Sequence, residues 1–119
     1  MRNILLTAVV SVAATLLVVY SLTAAGIVQE TVKLEKPRVT VTETNQPAGV
    51  ARDPYVRPTD QVIVFLDDCS YDRIDPATGK AERQNRKSGD VIWHDKGEHA
   101  PQLVNKGSKP FRTVIIGLK

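Results

Sequence analysis

The sequence predicts an all-β domain, and three observations support that prediction. After residue 28, short runs of apolar and β-branched residues are separated by turn signals about every 8–12 residues, which is typical of a sandwich or barrel. The turns are rich in Gly, Pro, Asp and Ser, the residues that tight turns favour. No stretch after residue 28 shows the period of an amphipathic helix. With 119 residues, the chain is long enough for one small domain.

The runs predict about seven short strands. Residues 61–66 (QVIVFL) form the most hydrophobic run after the N-terminus, so we expect a central strand buried on both faces. Residues 44–58 are predicted as a loop, because Pro and Gly recur through them. Residues 81–86 are polar and predict an edge strand. The remaining strands are predicted at residues 39–43, 70–74, 91–94 and 111–118, with one more between the turns at 96–97 and 106–108.

The N-terminal segment predicts export. Arg2 precedes an uncharged, apolar stretch over residues 3–28, and a positive residue before an apolar core is typical of a signal peptide. Cleavage after Ala25 is one outcome. An uncleaved hydrophobic anchor helix is the other, because the stretch is long enough to span a membrane. Both outcomes place the remaining chain in the periplasm or another extracytoplasmic space, with membrane contact only through this segment.

The predicted domain organisation follows from these patterns. Residues 1–28 are expected to be a signal peptide or signal anchor, residues 29–37 a polar linker, and residues 38–119 the β-barrel domain. A domain this small leaves sheet edges exposed, so a homodimer formed through one edge is a further expectation.

Composition excludes some classes of partner. The net charge is only +3 and the basic residues are scattered, so nucleic acid is not expected as a partner. The densest basic run, from Lys80 to Lys87, is interrupted by Glu82 and lacks aromatic residues, which predicts a solvated hairpin face. Cys69 is the only cysteine. It cannot form an internal disulfide. We expect it to be buried and inert, and the alternative in an oxidising compartment is an intermolecular bond.

The chain has two histidines, His94 and His99, on either side of the turn at residues 95–98. If that turn closes a hairpin, both rings come close to Glu98. Imidazole and carboxylate groups suit first-row transition metals, although a catalytic metal usually has three protein ligands. A metal site formed by His94, Glu98 and His99 is one interpretation, and a pair of hydrogen-bonded surface histidines is the other.

Two segments carry a resemblance to a known family. The first begins at Gly49 and reaches, after five, one, three and six intervening residues, Tyr55, Arg57, Gln61 and Asp68. The second begins at Gly89 and passes through Asp95, Gly97 and His99 to Asn105. These spacings resemble the two motif boxes of the cupin superfamily, and residues 111–118 are similar to its closing strand. The resemblance implies a small double-stranded β-helix, or jelly-roll, barrel.

The resemblance also implies where a metal site would lie and how this chain departs from it. Metal-binding cupins use two histidines and a glutamate from the first box, where this sequence has Tyr55, Arg57 and Gln61. The second-box histidine arrives one residue early, as His99. A guanidinium has no lone pair for a metal and repels a cation. The usual metal site is therefore expected to be lost, with His94 and Glu98 available for a rearranged one.

Three functions are consistent with these residues. The first is an exported, non-catalytic small-molecule-binding or accessory protein without a required cofactor, in which Arg57 grips an anionic ligand that Tyr55, Gln61 and His99 orient. The second is a metal-dependent cupin enzyme, of the oxygenase or isomerase type, with a divalent transition metal on a rearranged His/Glu site. The third is a structural envelope protein.

Two side chains near the predicted site have simpler interpretations. Arg57 could pair with an acidic residue at the barrel rim, and the rim candidates are Asp60, Asp67 and Asp68. Trp93 is expected in the core rather than as a ligand-stacking platform, because a lone tryptophan in a β-protein usually packs inside.

Overall fold

The computed structural model describes residues 26–119, and this part of the chain is all-β. Within these residues there is no helix, and so none that is long and apolar enough to cross a membrane. The strands are β1 (Gln29–Lys36), β2 (Val39–Gln46), β3 (Ala51–Arg52), β4 (Tyr55–Val56), β5 (Asp60–Phe65), β6 (Cys69–Ile74), β7 (Ala81–Arg86), β8 (Val91–His94), β9 (His99–Ala100), β10 (Gln102–Asn105) and β11 (Phe111–Leu118).

The strands form three antiparallel sheets. A five-stranded sheet has the order β1-β2-β11-β5-β8, and a four-stranded sheet has the order β3-β10-β6-β7. Strands β4 and β9 form a two-stranded sheet. In the sequence, each of them lies between a strand of one larger sheet and a strand of the other. Strands that are distant in sequence are thus neighbours, as in a jelly roll.

The core lies where β5, β6 and β11 meet. It is built from Ile63, Phe65, Tyr71 and Phe111, which are all buried. The Tyr71 ring stacks between two phenylalanines, with centroids 6.1 Å from Phe65 and 6.0 Å from Phe111. This aromatic row fixes the distance between the two larger sheets, because rings at this separation are in packing contact.

Strand β5 is central, as predicted, between β11 and β8. Its burial alternates, with Gln61, Ile63 and Phe65 buried and Val62 and Val64 only half-buried. The expectation of complete burial on both faces is therefore wrong. The alternation has a useful consequence, because Gln61 lies on the same inward face as the core residues.

The pairing of β5 with β8 decides which β8 residues face inward. Gln61 pairs with His94, and Val62 pairs with Trp93. Residues directly opposite in an antiparallel pair share a face, so His94 faces inward with Gln61. Trp93 faces outward and is 52% exposed, with its Nε1 donating to Asp95 Oδ1 at 2.8 Å. The expectation that Trp93 lies in the core is wrong.

Two expectations about irregular structure are corrected. The segment 29–37, predicted as a linker, contains β1, which pairs along its length with β2. Its side chains are all exposed, so its stability comes from the backbone ladder, which hydropathy does not reveal. The predicted loop 44–58 contains the end of β2 and the two-residue strands β3 and β4. The expected N-terminal signal or anchor helix falls on residues 1–28, of which 1–25 lie outside the described residues.

Asn105 fixes the turn that leads into β11. Its side chain is buried, and Nδ2 donates to the backbone oxygens of Gln46 and Lys109, each at 2.9 Å. Its Oδ1 accepts from the Gly107 nitrogen at 2.9 Å. The second-box asparagine of the sequence motif therefore has a structural role in this chain.

Candidate functional site

The backbone of Arg57 is held by the turn that contains Gly97. The Arg57 nitrogen donates to the Glu98 carbonyl, and the Gly97 nitrogen donates to the Arg57 carbonyl, both at 2.9 Å. Gly97 has a φ of 85°, a left-handed conformation that glycine adopts without strain. These two bonds continue the β4-β9 pairing and place Arg57 beside the end of β8.

The Arg57 side chain is almost completely buried, with 4% of its surface exposed. Its Nη1 donates to Gln61 Oε1 at 2.8 Å and to the Tyr55 hydroxyl at 3.2 Å. The Tyr55 hydroxyl in turn donates to Gln61 Oε1 at 3.4 Å. The structure therefore brings together the three first-box residues that the sequence singles out. Tyr55 and Gln61 hold the guanidinium in one orientation.

Glu98 and His94 complete this cluster from the other side. His94 Nδ1 donates to Glu98 Oε2 at 2.9 Å, and Arg57 Nε lies 3.9 Å from the same oxygen. The hydrogen bond from His94 holds the pKa of Glu98 below its ordinary value. Burial lowers the pKa of His94, and the bond to Glu98 opposes that effect only in part. His94 is thus neutral at pH 7, and Glu98 is a partly exposed carboxylate at the rim.

His99 does not join this cluster. It is exposed and pairs with Val56, whereas the next residue, Ala100, pairs with Tyr55 and is 1% exposed. A one-residue offset turns a strand side chain to the opposite face. The inward position of the second box is therefore occupied by Ala100, and the histidine inside the barrel is His94.

The three proposed metal ligands do not converge. His94 and Glu98 are in contact, but His99 lies on the other face of its strand. Within residues 26–119, no group of three or more His, Cys, Asp or Glu side chains is arranged to hold a metal ion. The groups next to Arg57 are a phenol and an amide, and both accept hydrogen bonds from its guanidinium.

The rim carboxylates have other partners than Arg57. Asp60 accepts from the Lys96 nitrogen, and Asp67 accepts from Arg112. Asp68 accepts from the Ser88 nitrogen. The simpler interpretation, in which Arg57 pairs with one of these aspartates, is therefore wrong.

Four arginines line a cavity inside the barrel. The cavity has a volume of about 80 Å³, several times the ~10–15 Å³ that one water molecule needs. Its walls include the aromatic core and His94. Among the described lining residues, the only carboxylate is Glu30 and the cations are Arg52, Arg57, Arg73 and Arg86. The interior is therefore strongly cationic.

Two of these arginines are incompletely satisfied. Among residues 26–119, the buried side-chain atoms without a hydrogen-bond partner are the Nε atoms of Arg52 and Arg57. Burial lowers the pKa of both groups, and the charge of Arg73 lowers both further. Arginine stays protonated in proteins. The fold therefore keeps four positive charges around one cavity.

An outer groove adjoins this cavity. It has a volume of about 770 Å³ and shares Tyr55, Arg73 and Pro101 with the walls of the inner cavity. His99 and Val56 line the groove but not the inner cavity. His99 could therefore contact only the part of a ligand that extends out of the barrel.

Sequence reasoning missed Arg52, Arg73 and His94 as inner residues. Arg73 lies two residues after the core residue Tyr71 on β6, and this spacing places both on one face. The sequence spacing alone therefore indicates that Arg73 faces inward. The inward direction of His94 follows from its pairing with Gln61, and no local pattern reveals a pairing between strands so far apart in the chain.

Cys69 is half-buried. Burial raises the pKa of its thiol to about 11, so the thiolate that acts as a nucleophile is scarce at neutral pH. This agrees with the expectation that Cys69 is inert.

Comparison with solved structures identifies the fold. A cupin domain from Bordetella pertussis Tohama I superposes with a TM-score of 0.69 and 22% sequence identity, covering 77% of this chain and 93% of that one. A conserved protein with a double-stranded β-helix domain from Klebsiella pneumoniae subsp. pneumoniae MGH 78578 gives 0.60 and 21%, covering 78% and 77%. The fold is that of the cupin superfamily, as the sequence resemblance implies.

The same fold occurs in proteins of different function. The polyketide cyclase RemF from Streptomyces resistomycificus superposes with a TM-score of 0.59 at 18% identity, covering 76% of this chain and 64% of that one. No protein-family model and no curated protein matches the chain. At these identities the likeness shows the fold alone, so the function has to be argued from the residues of the site.

Proposed function

We propose that this protein is an exported, non-catalytic binding or accessory protein whose barrel holds a small anionic molecule. The observation that supports this most strongly is Arg57, a buried guanidinium whose Nε has no hydrogen-bond partner among residues 26–119. It borders a cavity lined by three further arginines. Its Nη1 is hydrogen-bonded to Gln61 and Tyr55, and its Nε forms an ion pair with Glu98 at 3.9 Å, which is too distant for a hydrogen bond. A buried donor without an acceptor is costly.

The contacts assign a different role to each of the predicted residues. Arg57 binds the anion, and Gln61 and Tyr55 hold its guanidinium in place through Nη1. Tyr55 also lines both the inner cavity and the outer groove, so it lies between the entrance and the anion. His99, on the groove, contacts the outer part of a larger ligand.

The non-catalytic role is supported by the residues at the motif positions. Tyr55, Arg57 and Gln61 replace the metal ligands that the cupin resemblance implies, and Ala100 occupies the inward position of the second box. The fold itself does not decide between enzyme and binding protein, because RemF is a cyclase. The alternative, a metal-dependent enzyme, has support from the contact between His94 and Glu98 and needs a third ligand.

Export is supported by Arg2 and the apolar stretch over residues 3–28. Fractionation of cells followed by N-terminal sequencing of the protein distinguishes a cleaved signal, beginning at Gly26, from an anchor that retains Met1. Recovery in the cytoplasm would contradict export. Homodimerisation through a sheet edge stays a prediction, which light scattering after size-exclusion chromatography tests.

The binding proposal is tested by thermal unfolding of the full chain, purified in mild detergent. A ligand at about 100 times its Kd stabilises the folded state by about 2.7 kcal/mol, which raises the Tm of so small a domain by on the order of 10 °C. We expect butyrate or sulfate to raise the Tm, and Arg57→Met to abolish that rise. Arg83→Met is the matched control, because Arg83 is an exposed arginine paired with Asp72.

Each outcome of this experiment decides the proposal. Equal stabilisation of the wild type and of Arg57→Met places the anion elsewhere and overturns the assignment. The absence of any stabilisation by anions overturns the binding proposal and favours a structural envelope protein. A stoichiometric transition metal in the purified protein, found by elemental analysis together with turnover of a substrate, supports the enzyme alternative instead.

A further inference from the structure

The two arginines with unpartnered Nε atoms flank one aromatic ring. The guanidinium carbon of Arg52 lies 5.1 Å from the centroid of the Tyr55 ring, and that of Arg57 lies 5.5 Å from it. Both guanidinium groups therefore lie beside the same side chain. Both side chains also line the inner cavity.

Each guanidinium is held in place by hydrogen bonds from a terminal nitrogen. Arg57 Nη1 donates to Gln61 and Tyr55, and Arg52 Nη2 donates to the Pro101 carbonyl. These bonds hold both side chains in place and leave each Nε buried without an acceptor. A buried donor without a partner is costly, and such atoms usually mark a place where a group outside the protein completes the bonding.

The charges at this place exceed what one negative charge can balance. Arg73 lines the same cavity as Arg52 and Arg57, and its charge acts on both. Four arginines line the cavity, and the carboxylates of the described residues beside them are Glu30 on its wall and Glu98 next to Arg57, so two positive charges are left unbalanced. A monocarboxylate can accept from both Nε atoms through its two oxygens, but it supplies one negative charge, whereas a molecule with two anionic groups supplies the two that are missing.

We propose that the cavity selects a small molecule with two separate anionic groups, one bound by Arg52 and one by Arg57, of the class of short dicarboxylates. This inference rests on the proposed anion-binding function and specifies its ligand. The cavity volume of about 80 Å³ suits a chain of only a few carbons. The outer groove receives any substituent that extends from it.

Titration calorimetry on the full chain at pH 8 tests the inference by comparing acids of matched length. The pairs are malonate with propionate, succinate with butyrate, and glutarate with valerate, at constant ionic strength. We expect at least one diacid to bind at least tenfold more tightly than its monoacid. Affinities within threefold of each other in all three pairs overturn the inference and leave the proposed function standing. Failure of both classes to bind overturns both.

A variant locates the second charge. Arg52→Met is expected to weaken diacid binding at least tenfold, to the level of the monoacid, and to change monoacid binding less than threefold. Arg83→Met is the control and should bind both like the wild type. An Arg52→Met protein that keeps the full diacid preference overturns the role of Arg52. If this variant fails to fold, Arg52→Gln is expected to show the same loss, and the wild-type comparison decides the inference without it.

Discussion

Arg57 Nη1 donates a 2.8 Å hydrogen bond to Gln61 Oε1, and this contact joins the residue after β4 to the first inward residue of β5. It also joins two positions of the same sequence motif. Where the cupin resemblance implies an imidazole and a carboxylate for a metal, this chain has a donor and an acceptor bonded to each other. The centre of the barrel is therefore organised around a fixed cation.

Replacing the amide acceptor with a carboxylate should reduce anion binding. In Gln61→Glu the new carboxylate lies beside Arg57 and neutralises it, and a hydrogen bond to a charged group is worth about 1.5–3 kcal/mol. We expect butyrate and succinate to bind at least ~10-fold more weakly by calorimetry. Asn85→Asp, which adds the same charge at an exposed position on β7, is the control and should bind within about threefold of the wild type. Unchanged affinity in Gln61→Glu would place the anion away from Arg57.

Folding stability should fall as the pH is lowered through the range in which His94 titrates. Burial lowers the pKa of His94 below its ordinary value of 6.5, so below pH 6.5 the unfolded chain binds more protons than the folded one. The stability of the folded state is then lost as the pH decreases. Urea unfolding at pH 7.5 and 5.5 measures this change, and His94→Gln should show a smaller one.

The contribution of Glu98 falls in a different pH range and does not obscure that measurement. The hydrogen bond from His94 lowers the pKa of Glu98 below its ordinary value of 4.5, so its contribution is present above pH 4.5 and is lost only below it. A wild-type protein that is more stable at pH 5.5 than at pH 7.5 would contradict the assignment of a half-buried, neutral His94.

Asn105 should contribute strongly to stability. Asn105→Ala removes three hydrogen bonds to the backbone, two within the 105–110 turn and one to Gln46 on β2, and leaves polar groups without partners. We expect a loss of about 2–4 kcal/mol in the free energy of unfolding. Asn85→Ala, at an exposed position on β7, is the control and should cost less than about 1 kcal/mol. Equal losses would mean that the turn is held by other contacts.

The offset between His99 and Ala100 can be tested by restoring a metal site. A protein with Tyr55→His, Arg57→His and Gln61→Glu has three ligands in positions that already touch, and Ala100→His supplies a fourth on the same inward face. We expect the quadruple variant to bind Zn²⁺ at least ~10-fold more tightly than the triple variant, which retains His99. Equal affinities would show that His99, rather than residue 100, faces the site.

Strands that have clear turn residues at both ends could be predicted from the sequence. The bounds of β7, β8 and β11 agree with their predicted ranges, because each run is bounded by clear turn residues. Strand β1 could not be predicted, since all its side chains are exposed and only its pairing with β2 orders it. The short strands β3 and β4 could not be predicted either. Each has only two residues in a proline-containing segment, and only pairing with a distant strand orders it.

The first-box residues could be predicted as neighbours, since Tyr55, Arg57 and Gln61 follow one spacing pattern and lie together in the structure. The direction of the His99 side chain could not be predicted. The turn at residues 95–98 decides which of His99 and Ala100 faces inward, and a shift of a single residue reverses the answer. The inward direction of Arg73 follows from its spacing to Tyr71 on β6, whereas that of Arg52 depends on the pairing of β3 with the distant strand β10.

Anomalous diffraction from a crystal of the full chain soaked in selenate tests the central claim most directly. A bound anion inside the barrel predicts a selenium peak in the cavity, placed so that a selenate oxygen lies within hydrogen-bonding distance of Arg57 Nε, and the loss of this peak in crystals of Arg57→Met. A selenium peak found only at exposed arginines such as Arg83, with the cavity unoccupied, would contradict an anion-binding barrel.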